Sequence, residues 1–153
     1  MRLIKALAAF AALTILVACS SEQPAGPATA STSVTPGSVA DFTQNVGDRV
    51  YFDTDMSNIR EDGRQTLNRQ AEWLKKYTNY PITVAGHCDE RGTREYNLAL
   101  GERRANAARQ YLIAQGIPAA RIKTISYGKE NPDPPGSDEQ AWALNRRAVT
   151  ELQ

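Results

Sequence analysis

The run Gly86-His87-Cys88-Asp89-Glu90-Arg91-Gly92-Thr93 sets an imidazole, a thiol, two carboxylates and a guanidinium side by side. A second guanidinium, Arg104, follows fifteen positions after Asp89 (104 − 89). Such groups can bind a metal, arm a nucleophile or grip a small ligand that carries both charges. The first two are disfavoured by geometry. Ile82-Thr83-Val84-Ala85-Gly86 has strand composition, and consecutive strand residues point to opposite faces, so His87 and Cys88 diverge. His87 is the chain's single histidine and Cys19 is the only other cysteine, whereas zinc sites gather three or four such ligands. No Gly-x-Ser-x-Gly elbow or His-Glu-x-x-His pair occurs. The expectation is no catalysis, no metal and no cofactor, with Asp89 and Arg104 as the groups of interest.

The elements around them must bring those two charges together. Arg49-Val50-Tyr51-Phe52 is rich in β-branched and aromatic residues, which predicts a strand. Leu67, Ala71, Leu74 and Tyr77 recur at helical spacing, and Asn79 and Pro81 end that helix. Ile82–Gly86 is the second strand. A long helix is predicted from about Arg94 to Gln115, stopped at Gly116 with Pro118 beyond. Ile122–Tyr127 alternates as a third strand. Ser137 is placed to cap a short helix through Leu144, and Arg146–Leu152 alternates as a last strand. The order β-α-β-α-β-(short α)-β requires crossovers, so some strands must be parallel. The economical solution is an α/β (α+β) two-layer sandwich, a mixed sheet with helices on one face.

Arg104 lies ten residues into the long helix, about 15 Å along its axis. It meets Asp89 only if the intervening loop folds back, and Gly92 permits the reversal through a positive φ. Asn97, Gly101, Arg104 and Ala108 share one helical stripe. Glycine costs a helix about 1 kcal/mol, so Gly101 suggests that something approaches closely there. Arg103 points away from the stripe, and Arg91 and Arg94, taken singly, are expected to be solvated. Spacing leaves two roles for Asp89 and Arg104 equally open: an internal ion pair or a ligand clamp.

The N-terminus belongs to no domain. Arg2 and Lys5 precede an apolar run, Ala6–Val17, which is shorter than the ~20 residues of a bilayer span and suits a secretory signal. It ends Leu16-Val17-Ala18-Cys19, which resembles the lipobox of bacterial lipoproteins. That resemblance implies cleavage of residues 1–18, lipid on Cys19 and, with Ser20 rather than Asp next to it, anchoring in the outer membrane. Residues 19–41 are expected to be the lipidated end and a flexible tether, rich in Ser, Thr, Pro, Ala and Gly. A coil of that length reaches ~25 Å. Residues 42–153 form the expected domain. Removing Arg2 and Lys5 from 18 basic residues leaves 16 against 17 acidic, a balance that argues against a nucleic-acid partner. Cys88 is left without an intramolecular partner, and burial as a small apolar side chain is its expected state.

Thr83–Asn97, Leu100–Asn106, Asn145-Arg146-Arg147-Ala148 and Val50-Tyr51-Phe52-Asp53 together resemble the OmpA C-terminal-like domain family, over roughly residues 42 to 153. The lipobox and tether point to its lipid-anchored members. The resemblance implies non-covalent binding of peptidoglycan through the meso-diaminopimelate residue of its stem peptide. Asp89 would hold an ammonium and Arg104 a carboxylate. Phe52, Asp53, Arg91, Asn97 and Leu98 are the implied secondary pocket residues. Further implications are TolB and other Tol proteins as partners, a periplasmic domain held at the cell outer membrane, and a role at division. Cys88 departs from the family pattern, where a small residue such as alanine is usual. The alternatives are a lipid-anchored protein-interaction module without direct wall binding, and a wall hydrolase, for which no catalytic set is visible.

Overall fold

The structure is a computed structural model that describes residues 34–153. The signal peptide, Cys19 and most of the tether expected from sequence lie outside the described residues. Packed structure begins upstream of the expected boundary at Phe42. Ser38 caps a short helical turn, α1 (Val39–Asp41), which runs into a π-helical turn, Phe42–Val46. The Asp41 carboxylate accepts hydrogen bonds from the Trp73 indole and the Gly37 amide, both at 2.8 Å. Tyr80 donates to the Gly37 carbonyl at 2.9 Å. The small polar residues before Phe42 resemble a linker in composition, but these contacts fasten them to an aromatic cluster.

The remaining elements are β1 (Arg49–Tyr51), α2 (Glu61–Lys76), β2 (Ile82–His87), α3 (Arg94–Ala114), a 3-10 turn (Ala119–Arg121), β3 (Ile122–Gly128), α4 (Glu139–Asn145) and β4 (Arg147–Leu152). α2 carries Glu61 and Asp62 in its first turn and Lys75 and Lys76 in its last, the arrangement its dipole favours. Thr93 caps α3 by accepting from the Tyr96 amide. The cap of α4 is Asp138, not the expected Ser137: its carboxylate accepts from the Ala141 amide at 2.8 Å.

The sheet order is β1-β4-β2-β3. β2 and β3 are parallel, joined by α3 as crossover, while β4 lies antiparallel between β1 and β2. One face of the sheet, with Val50, Ile82, Val84, Ile122 and Ala148, packs on Leu67, Ala71 and Leu74 of α2 and on Ala105, Ala108 and Leu112 of α3. This is the two-layer mixed α/β arrangement expected, with the last strand central.

The approach of α3 to β2 is backbone on backbone. A Cβ at Gly86 would stand 1.8 Å from the Gly101 carbonyl oxygen, and one at Gly101 would stand 2.3 Å from the Ser126 hydroxyl. Neither strand nor helix can carry a side chain at this crossing. The close contact suggested by Gly101 is therefore β2 itself, and it fixes the depth at which Arg104, one turn further on, enters the protein.

Candidate functional site

Arg104 is 1 % exposed, and its guanidinium is a structural hub. Nε donates to the Met56 carbonyl (2.9 Å), Nη1 to the His87 carbonyl (2.9 Å) and to Cys88 Sγ (3.4 Å), and Nη2 to the Asp53 carbonyl (3.2 Å). Four of the five guanidinium N–H groups are thereby used, leaving one on Nη2. The cation also lies over the Phe52 ring, 5.2 Å from its centroid. Burial lowers its pKa from the ordinary arginine value, with Cys88 and Asp89 opposing that shift. No carboxylate is bonded to it among the described residues.

Asp89 is held by other cations. Arg91 gives it three hydrogen bonds: the backbone amide (3.1 Å) and Nε (3.1 Å) to Oδ1, and Nη2 (2.7 Å) to Oδ2. Arg146 adds Nη1 to Oδ2 at 3.3 Å. Burial pushes the Asp89 carboxyl up, but the Arg91 and Arg146 hydrogen bonds outweigh it and hold the pKa below the usual value. Of the two open roles, the internal Asp89–Arg104 ion pair is not formed. The expectation of a simply solvated Arg91 is also corrected. Its guanidinium lies 4.3 Å from the Trp142 ring centroid, and Trp142 Nε1 donates to Glu90.

The loop geometry follows from Gly92, whose φ of +87° turns the chain back over α3. Asn97 secures that reversal, donating Nδ2 to the carbonyls of Arg91 (2.7 Å) and Thr93 (3.0 Å). Asp89 and Arg104 then line one cleft of about 240 Å³ with Arg91, Asn97, Thr54 and Tyr96. Tyr96 donates to the Asp55 carboxylate at the cleft edge.

Of the seven ligand-site residues named from sequence, four line this cleft: Asp89, Arg104, Arg91 and Asn97. Phe52 is core beneath Arg104. Asp53 contributes its carbonyl to Arg104 and turns its carboxylate to Arg60 at 3.5 Å. Leu98 is not among the lining residues; its carbonyl accepts from Ser126 and its backbone packs against Gly128. Arg146 was given no role by sequence reasoning, yet it is buried and pairs with Asp89 and Glu139. The signal lay in consecutive arginines where a strand begins. Arg146 stands just before β4, at the C-cap of α4, and Arg147 opens the strand. Among the described residues no cluster of His, Cys, Asp and Glu could hold a metal ion.

Residues 51–146 match the OmpA family. The peptidoglycan-associated lipoprotein of Agrobacterium fabrum is 65 % identical over 120 residues, 78 % of this chain and 68 % of that protein. Its namesake in Rhizobium meliloti is 62 % identical over the same shares. The crystal structure of the peptidoglycan-associated lipoprotein from Burkholderia pseudomallei superposes with a TM-score of 0.70 at 39 % identity, covering 74 % of this chain and 98 % of that one. The C-terminal domain of Helicobacter pylori MotB, at 23 % identity and a TM-score of 0.65 over 69 % of this chain and 84 % of that one, shares the fold. The chain belongs to the OmpA family, within its peptidoglycan-associated lipoprotein branch.

Proposed function

We infer that this protein is a peptidoglycan-binding lipoprotein of the cell envelope, a binding module and not an enzyme, whose domain grips the wall non-covalently from the periplasmic side. The names of its relatives support the coarse reading. The finer reading rests on Arg104: a buried cation with, among the described residues, an uncommitted N–H and no carboxylate partner, beside a cleft that also contains Asp89. A ligand carboxylate brought to that N–H satisfies the donor and neutralises the charge together, and charge-assisted hydrogen bonds are about twice as strong as neutral ones. The meso-diaminopimelate residue of the stem peptide carries such a carboxylate where lysine has none. A site that leaves Arg104 unmatched by lysine discriminates between the two.

The arrangement refines the role of each charge. Arg104 spends most of its fork on the protein frame, so it offers a carboxylate one hydrogen bond plus its field rather than two parallel bonds. Asp89 is already occupied, so a ligand ammonium must share it with Arg91 or displace it. The Arg91 side chain is 40 % exposed and that of Arg146 only 8 %, which makes Arg91 the group able to withdraw. Lipid on Cys19 would hold the outer membrane, with the domain bridging it to the wall. TolB and other Tol proteins are the partners this role implies, with action at constriction during division.

Sedimentation with purified sacculi tests the reading. Wild type should co-sediment with diaminopimelate-type peptidoglycan and be released by soluble diaminopimelate stem tripeptide, the lysine tripeptide competing at least tenfold less well. Arg104→Lys, which keeps the charge and loses the fork, should lose roughly 10- to 100-fold in affinity, about 1.5–3 kcal/mol for hydrogen bonds to a charged group. Unchanged sedimentation of the folded variant would sink the pocket assignment. Absence of wild-type sedimentation would favour the protein-interaction module. For the anchor, Cys19→Ala should abolish palmitate labelling.

A further inference from the structure

The sheet face turned away from α2 and α3 holds a third buried guanidinium. Arg147, at the start of β4, is 4 % exposed. Its Nη1 donates to Asn145 Oδ1 at 3.0 Å and its Nη2 to the Asn131 carbonyl at a long 3.3 Å. Its Nε–H has no acceptor among the described residues. Across from it His87, 5 % exposed, has an Nδ1 without a well-formed hydrogen bond among the described residues, although the imidazole also feels the Asn131 backbone, and its ring packs against Tyr127 with centroids 5.3 Å apart. Both side chains line one cleft of about 530 Å³, roofed in part by the Asn131–Asp133 loop.

Two unsatisfied buried polar atoms in one cleft are unusual, because native proteins leave few such groups unpaired. Nor is any carboxylate bonded to Arg147 among the described residues; Asp48, which acts on it at a distance, pairs with Arg49 at 3.6 Å. Asp133, the acid whose field Arg147 feels most, is committed to Arg49 at 2.9 Å. Glu130 is paired with Arg94. Glu151 stands four residues along β4, about 13 Å away by strand rise. A buried cation without a counter-ion is costly, and it favours any oxyanion that can reach it.

We propose that this cleft is a second binding site, for a carboxylate, with Arg147 Nε–H as its principal donor and the His87 ring beside it. The carboxylate takes the place of the Asn131 carbonyl, exchanging a long bond to a neutral acceptor for a charge-assisted one. Val149, Tyr127 and Pro132 form an apolar shelf at the mouth, suited to the body of a molecule that carries the carboxylate at its end. This site stands apart from the Asp89–Arg104 cleft and does not rest on the wall-binding reading.

The experiment follows the Arg147 Nε–Hε and His87 ring resonances by NMR in the full chain in detergent. Acetate and N-acetylglycine separate a bare carboxylate from one carried on a peptide end, N-acetylglycinamide is the neutral control and inorganic phosphate the rival anion. The expected result is a saturable movement of both resonances with acetate or N-acetylglycine and none with the amide. It should be retained in Arg104→Lys, and in Arg147→Lys, where only the His87 ring reports, the affinity should weaken at least tenfold. Val149→Trp, which fills the mouth without touching the buried charge, should abolish it and so covers the case in which Arg147→Lys does not fold. Resonances that stay still, that move equally with the amide, or that respond to phosphate alone would overturn the proposal. So would a persistent water contact at Nε–H that no carboxylate displaces.

Discussion

Arg104 and Arg147 are both buried cations without a carboxylate partner among the described residues, one under the α3 face of the sheet and one on the opposite face, yet they are held differently. Arg104 is fastened by three main-chain carbonyls, from β2 and from the Asp53–Met56 segment. The His87 carbonyl belongs to a central strand, while the other two lie on an exposed loop that the guanidinium itself ties to the sheet. Arg147 is held by one side-chain amide and one long bond to a loop carbonyl. The first arrangement presents a fixed charge to a cleft, with desolvation and orientation already settled by folding, as preorganised recognition requires. The second leaves a donor bare and a loop able to yield. His87 joins the two: its carbonyl accepts from Arg104 while its ring faces the Arg147 cleft.

The most disruptive way to separate the two regions is Gly86→Ala. The new methyl would meet the Gly101 backbone at 1.8 Å, and no side-chain rotation relieves a clash with main chain. Overpacking usually costs 1–3 kcal/mol, so a loss of about 3 kcal/mol or more in urea denaturation is expected. α3 must lift from β2 and carry Arg104 with it, whereas Arg147 sits on β4. Sacculus binding should fail at temperatures where the sheet still gives strand signal by circular dichroism. An unchanged denaturation midpoint would mean that the helix–strand crossing is looser than the glycine contacts indicate.

The parts of this design legible in the sequence are those carried by local spacing. The stripe Asn97-Gly101-Arg104-Ala108, the reversal at Gly92 and the long helix all follow from 3.6-residue periodicity and from glycine. The placement of β4 between β1 and β2 does not, because pairing between distant strands depends on register with partners about 65 and 100 residues away in the chain. The partners of Asp89 were hidden for the same reason: Arg146 reaches it from 57 positions away. Arg91, expected to be solvated when taken singly and a pocket residue by resemblance, is placed by its hydrogen bonds to Asp89 and by the Trp142 ring beneath it, neither of which local spacing reveals. Gly37 to Asp41 have linker-like composition, yet a few hydrogen bonds to aromatic side chains fasten them, which composition alone does not reveal.

Acid titration separates the two faces by pH window. Burial, with Arg147 next in effect, pushes the His87 imidazole down from 6.5 to about 4. A folded-state pKa below the unfolded one means the unfolded chain binds more protons between those values. Stability is then complete above about 6.5 and declines as pH falls toward 4, by up to roughly 3 kcal/mol for a shift of this size. The chain has one histidine, so this limb belongs to His87 alone, and His87→Gln should flatten it. Asp89 acts lower. Its depressed pKa makes its contribution complete above the usual carboxylate value of about 3.9 and lost only as pH falls through the folded value. Denaturant midpoints measured from pH 7.5 to 3 should therefore show two limbs, the upper abolished by His87→Gln and the lower reduced by Asp89→Asn. A single limb below pH 4 in wild type would contradict the buried, neutral imidazole.

The smallest effect is expected at Cys88, between the two regions and next to His87 in sequence. Its thiol is buried, donates to the Asn97 carbonyl at 3.3 Å and accepts from Arg104 Nη1 at 3.4 Å. Burial raises its pKa to about 11 even though Arg104 opposes the shift. The thiolate is the reactive form, so the native protein should resist iodoacetamide at pH 7.5 and be labelled at Cys88 only once unfolded. Cys88→Ala removes one small apolar contact and a weak acceptor, while the Arg104 bonds to three carbonyls persist. It should cost about 1 kcal/mol or less, the low end for small core truncations, and leave sacculus affinity within about twofold. A larger fall in affinity without a matching fall in stability would make the thiol part of the anchor that sets the Arg104 charge, and the rigid site would then depend on more than its main-chain carbonyls.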